Sequence, residues 1–273
     1  MKPLTLSAAL DRGAITPQTD YFDKGYRIFR GGRIENYDGR GRGKVDMQQV
    51  LDQSLNTGAV FAMQKLGKEK FKEYLLKYGF GEKTGIDLPN ETKGMISNLN
   101  SGRDIEYATA SFGQGIAVTP IEMVSALSSL ANGGALMRPY IIDEIKMENG
   151  AVKKTKPLEI RRVLKKSTSE EINRMLVKVA DDALMGGTVK LKHYTFAAKT
   201  GTAQIHKETG GGYYKNQYLH TFFGYFPGFN AKFLVFLFVV KPQGVRYASH
   251  SLTKPFMNIV KFMINYYNIR PDR

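Results

Sequence analysis

The sequence predicts an α/β chain of the α+β kind, with an antiparallel sheet flanked by helices on both faces. Three observations carry that expectation. Three strand-like runs, Phe196 to Ile205, Tyr218 to Phe226 and Lys232 to Lys241, follow one another with short connections, which implies antiparallel neighbours. Stretches with apolar residues at helical spacing, bounded by cap or stop signals, fill much of the chain before them. A last helical stretch, from about Thr253 to Tyr267, closes the sequence. With 273 residues, 42% hydrophobic and 11% aromatic, the chain can bury one large core. No Pro- or Ser-rich linker divides it, so one domain over residues 1–273 is expected.

Lys2 to Leu10 is apolar at helical spacing and Gly13 stops it, so the chain is expected to begin inside or at the edge of a helix. Gly25 to Lys44 is rich in Gly and Arg without an apolar period and reads as a long exposed loop. Asp46 can cap a helix running through Val50 and Leu51 towards Ser54. A second helix runs from Thr57 to a stop at Gly67, and an amphipathic one around Phe71, Tyr74, Leu75 and Tyr78 ends at Gly79. Thr119-Pro120-Ile121-Glu122 is a capping box with Pro in the first turn, opening a helix to Leu130 that Asn132-Gly133-Gly134 terminates. Tyr140 to Lys146 and Ala151 to Lys156 flank Glu148-Asn149-Gly150 as a hairpin. Ser167 to Glu170 reads as a second capping box, opening a helix to about Leu184 before Gly186 and Gly187.

Composition narrows the chemistry. The absence of cysteine excludes disulfides, thiolate metal sites and cysteine nucleophiles. His193, His206, His220 and His250 show no ligand spacing, so neither a metal nor another cofactor is expected. A formal charge of +15 favours an anionic environment, which could be nucleic acid, lipid headgroups or an acidic wall polymer, although the lysines are scattered as on an ordinary solvated surface. Arg30-Gly31-Gly32-Arg33 and Arg40-Gly41-Arg42-Gly43-Lys44 have the composition of RNA-binding Arg-Gly segments but are short and isolated, so no nucleic-acid partner is expected. The opening residues carry no export signal, and the longest apolar run, Phe233 to Val240, is far too short to span a bilayer.

Three short signatures lie in a telling order: Met1-Lys2-Pro3, Ser54-Leu55-Asn56 and Lys199-Thr200-Gly201-Thr202. They resemble the S-x-x-K, S-x-N and K-T-G elements of penicillin-binding proteins and serine β-lactamases. Each falls where its chemistry needs it, the second at a helix junction and the third on a strand able to pair with an extended peptide. Ala110-Ser111-Phe112-Gly113-Gln114-Gly115, running into Val118-Thr119-Pro120, and Phe80-Gly81 with Lys83 to Pro89 also match the family, so the resemblance covers essentially the whole chain. Two further matches are decoys. Lys83-Thr84-Gly85 follows a helix stop and leads into a loop, while Ser251-Leu252-Thr253-Lys254 lies after both other motifs.

The resemblance implies that Lys2 is the general base, with its pKa lowered by burial and by Lys199. It implies that Ser54 relays a proton to the leaving amine and that Asn56 holds the donor peptide. Lys199, Thr200 and Thr202 would bind the substrate carboxylate, Gly201 would permit close approach, and the Thr202 N–H would serve as an oxyanion donor. The family's nucleophilic serine would stand two residues ahead of Met1, so the sequence is expected to be a fragment truncated at its N-terminus and inactive alone. Ser7 is read as helix packing. No Glu is followed four residues on by Asn, as a class A β-lactamase would require, and 145 positions separate Ser54 from Lys199, both of which favour D,D-transpeptidation over hydrolysis. Implied partners are D-Ala-D-Ala stem peptides of peptidoglycan, β-lactams and other wall-synthesis proteins. The parent protein is expected at the extracytoplasmic face of the cell membrane. The competing reading is a non-catalytic wall-binding or scaffold domain of the same fold.

Overall fold

Residues 1–209 and 211–273 are described by a computed structural model. In chain order the elements begin with α1 (Lys2–Asp11), β1 (Tyr21–Asp23), β2 (Tyr26–Phe29), β3 (Gly32–Glu35) and β4 (Gly43–Val45). Helices α2 (Met47–Asp52), α3 (Asn56–Leu66), α4 (Lys68–Lys77), α5 (Asp104–Phe112) and α6 (Pro120–Ala131) follow. Strands β5 (Ala135–Met137), β6 (Glu144–Lys146), β7 (Val152–Lys154) and β8 (Glu159–Arg162) lead to α7 (Lys166–Lys178). Strands β9 (Ala197–His206), β10 (Tyr213–Phe226) and β11 (Phe233–Val240) and helix α8 (Ala248–Tyr266) complete the chain.

The central sheet has the order β11-β10-β9 and is antiparallel throughout, which leaves β9 on a free edge. Side chains alternate across it, as the two-residue period of a strand requires. Phe222 and Phe226 join Phe256 of α8 in one core, while Phe223 and Tyr225 join Leu4 and Leu6 of α1 and Ile172 and Leu176 of α7 in the other. Helices therefore cover both faces. Gly224 makes room for α8, since a Cβ there would stand 2.4 Å from the Phe256 ring and 2.8 Å from the Ala197 carbonyl oxygen. The rings of Phe222 and Phe256 stack at 4.4 Å, and their burial contributes roughly 2 kcal/mol or more per ring.

The cap signals placed several helices correctly. Asp46 and Gln49 form a reciprocal capping box at α2, and Thr119 and Glu122 form one at α6. The Glu122 carboxylate is buried and also accepts the N–H groups of Gly81 and Gly94, so a single side chain ties two loops to the helix start. The hairpin around Glu148-Asn149-Gly150 forms as β6 and β7.

Three expectations need correction. The segment from Gly25 to Lys44 is no plain loop: β2 pairs with β3, and β4 returns to pair with β1. What orders it is a buried carboxylate. Asp23 accepts hydrogen bonds from Gly25 N, Thr57 Oγ1, Asn36 Nδ2 and Arg42 N, and within Gly25 to Lys44 only Ile34 is a buried apolar side chain, too few to set a period. Helix α7 starts at Lys166 without the expected Ser167 box, because the Lys165 backbone N–H is held by Asp11 Oδ1 and places the helix start earlier. Helix α8 begins at Ala248, so Ser251 lies within its first turns.

Candidate active site

The C-terminus of α2 presents Ser54. The Ser54 N–H donates to Leu51 O and the Leu55 N–H to Val50 O, a Schellman arrangement that holds Ser54 in the left-handed region at φ 55°. Glycine ordinarily fills this position, because a Cβ there costs about 1 kcal/mol or more. A serine retained against that cost marks the hydroxyl as the feature being kept. It receives Lys2: Nζ of Lys2, in the first turn of α1, donates to Ser54 Oγ at 3.3 Å.

Lys2 faces a cleft lined also by Met1, Phe112, Lys199, Thr200 and Gly201. Lys199 is only 7% exposed, and its Nζ donates to the Thr200 carbonyl at 3.2 Å. Burial, with the neighbouring Lys199 charge, lowers the Lys2 pKa to about 7. Burial lowers Lys199 to about 8, opposed by the carboxylate of Asp52. Of the pair, Lys2 is therefore the amine that more readily loses its proton and can act as a base, and Lys199 the one that more readily stays cationic.

Lys2, Ser54, Lys199, Thr200 and Gly201 are thus brought to one place, whereas two other residues are occupied at its margin. Asn56 Nδ2 donates to Glu35 O at 2.8 Å, and Thr202 Oγ1 accepts the Ala248 N–H at 3.0 Å. Gly201 sits opposite Thr221, and a Cβ on Gly201 would stand 2.5 Å from Thr221 Oγ1. Tyr37 and Tyr247 meet edge to face with centroids 5.8 Å apart, so the segment ahead of Ser54 touches the turn before α8.

The decoys lie elsewhere. Thr84 and Gly85 wrap the Glu91 carboxylate in a loop, and Ser251, on α8, is hydrogen-bonded to His220 of β10. Ser7 is buried, bonded to Leu4 O and the Tyr78 hydroxyl. Sequence reasoning missed Asp52, whose pKa is raised by its own burial, and the cleft residues Phe112 and Thr221. The one sequence cue to Asp52 is its place two residues before Ser54, and it gains meaning only from the Lys199 amine that the fold brings within range of its charge.

Comparison with known proteins decides the family. Residues 1–261 match the penicillin-binding protein transpeptidase domain. The chain belongs to that family. Stage V sporulation protein D of Bacillus subtilis is 34% identical to this transpeptidase domain over 276 residues, covering 100% of the chain and 42% of that protein. The peptidoglycan D,D-transpeptidase FtsI of Buchnera aphidicola is 28% identical over 279 residues, covering 100% of the chain and 45% of that protein. The transpeptidase domain thus spans less than half the length of these relatives. Among solved structures, penicillin-binding protein 3 of Mycobacterium tuberculosis complexed with aztreonam superposes with a TM-score of 0.88 at 25% identity, covering 100% of the chain and 62% of that one. The transpeptidase domain of penicillin-binding protein 3 from Burkholderia pseudomallei gives a TM-score of 0.85 at 26% identity, covering 100% and 79%.

Proposed function

We propose that this domain performs D,D-transpeptidation of peptidoglycan stem peptides through a serine acyl-enzyme. The observation that carries the reading is the Lys2 amine held at Ser54 in a part-buried cleft beside the buried Lys199 on the sheet edge. In the family motif the nucleophile stands three residues before Lys2, and because the chain spans less than half the length of its relatives the reaction is written for a longer polypeptide that carries that serine.

Lys2 Nζ takes the serine proton as Oγ bonds to the carbonyl carbon of the penultimate D-Ala. The resulting oxyanion is met by backbone donors that include the Thr202 N–H. Ser54 Oγ, bonded to Lys2, passes the proton to the departing nitrogen as the C–N bond breaks, and D-Ala leaves as the amine. An acceptor amine then attacks the ester, its proton returns by the same route, and the serine is restored as the new amide forms. Lys199 and the hydroxyls of Thr200 and Thr202 hold the terminal carboxylate of the donor, Gly201 lets the donor approach, and Asn56 steadies its peptide backbone.

A scaffold reading is disfavoured by the same cleft, since a buried Lys199, a part-buried Lys2 beside it and a strained serine are costly features that binding alone does not require. We place the parent protein at the extracytoplasmic face of the cell membrane, with β-lactams as substrate mimics and other wall-synthesis proteins as partners. The test is to incubate the longer polypeptide with a stem pentapeptide ending in D-Ala-D-Ala and an acceptor amine. D-Ala release matched by a new amide product is expected. Release with hydrolysed product alone would overturn transfer, and no release with undiminished peptide binding would favour the scaffold.

A further inference from the structure

His220 lies outside the chemistry above, yet it is buried on β10 directly opposite Thr202 of β9. Its Nε2 is 3.0 Å from the Arg246 carbonyl, which can only accept, so Nε2 carries the proton and Nδ1 is left as the acceptor. Ser251 Oγ, 2.8 Å from Nδ1 and 3.3 Å from the Ala248 carbonyl oxygen, then gives its one proton to the nearer imidazole nitrogen. Both partners belong to the turn that opens α8. The N-cap of that helix, Tyr247, offers no capping side chain, and the orphan N–H of Ala248 is satisfied instead by Thr202 Oγ1. Two residues facing each other across β9 and β10 therefore grip residues 246–251 at three points. Burial keeps the imidazole below its ordinary range, in keeping with the neutral form.

We infer that His220 is a positioning residue for Thr202: by clamping the turn before α8 it fixes the Ala248 N–H on Thr202 Oγ1, so that the hydroxyl proton is left to donate to a substrate carboxylate. A threonine hydroxyl has one proton to give and lone pairs to receive with. With its acceptor side engaged, the rotor is fixed and the carboxylate meets a donor already aimed, at no further entropic cost. This rests on the carboxylate-binding role proposed for Thr202.

Two readouts separate the inference from that role. The first is the hydrogen-exchange rate of the Ala248 amide, which reports the contact whether or not the serine reacts. In His220→Gln and in the milder Ser251→Ala it should rise about tenfold, the loss expected for one hydrogen bond of roughly 1.4 kcal/mol. The second is the ratio of acylation rates for benzylpenicillin and its methyl ester in the longer polypeptide. That ratio should fall about tenfold in His220→Gln, as for a lost bond to a charged group, and should fall no further when Thr202→Val is added. An unchanged Ala248 exchange rate overturns the clamp. Equal losses for penicillin and ester, or additivity with Thr202→Val, would show that His220 serves the fold alone. If His220→Gln does not fold, Ser251→Ala, which keeps the imidazole, decides the question by the same two measurements. Wild-type polypeptide acylated by neither compound would sink the proposed function, with the exchange result still deciding the clamp.

Discussion

Lys2 and Lys199 repel each other inside one cleft, and this makes the pH behaviour of the site specific. Lys199 holds the Lys2 pKa down, so Lys199→Met should raise it and move the acid limb of penicillin acylation by the longer polypeptide to higher pH. A limb that moves to lower pH contradicts the assignment. The same charge bears on stability. Burial lowers Lys199 to about 8 in the folded chain, against an ordinary lysine value of 10.5 in the unfolded one, so between those values the unfolded chain binds more protons and stability rises with pH. Lys199→Met should therefore stabilise the fold more at pH 7 than at pH 10 in urea denaturation, and an equal gain at both would argue against a buried amine. At Ser54 both Gly and Ala remove the hydroxyl, yet Ser54→Gly should be the more stable variant by about 1 kcal/mol because only Ala keeps a Cβ at positive φ. Thermal melting of the two variants checks this. These residues were legible because their motifs depend on local spacing. Asp52 and His220 were not, since a carboxylate two residues before a serine, or a histidine within a strand, acquires meaning only from what the fold places beside it.

Elements were read well wherever a cap or stop residue announced them, as at Asp46, Thr119 and Gly67. They were misread where polar burial does the ordering. Strands β1 to β4 are short and each offers at most one buried apolar side chain, as at Tyr21, Ile34 and Val45, with the buried Asp23 and Asn36 tying them together. Helix α5 was read only as a family segment, its short run lacking a capping side chain at Arg103. Asp23→Ala would remove the carboxylate that four donors share and strand the Gly25 N–H, and should cost about 3 kcal/mol, with hydrogen exchange rising across residues 24–45 and little change in β9 to β11. Uniform loss of protection across the sheet would show that the segment is no separate unit. On the opposite face, Gly224→Ala would drive a methyl into Phe256 and should cost about 2 kcal/mol, read as a lowered denaturation midpoint.

Across the whole molecule, the two cores meet at the central sheet, and the candidate site lies where α1, the α2 to α3 junction and the free edge of β9 converge. The antiparallel order was legible from three strands with short connections, whereas the convergence was not, because 145 positions separate Ser54 from Lys199 and no local pattern encodes their approach. Motif order stood in for geometry. Charge was the weaker guide: most ion pairs are exposed, as between Lys70 and Glu73, and say little about a partner. The central claim is that Lys2 activates a serine three residues before it, with Ser54 and Lys199 completing the site. The most direct measurement is to treat the longer polypeptide with benzylpenicillin, digest it and locate the penicilloyl ester by mass spectrometry. One ester per chain on that serine is the predicted result, whereas an ester on Ser54 or Ser251, or stoichiometric labelling of residues 1–273 alone, would contradict the account.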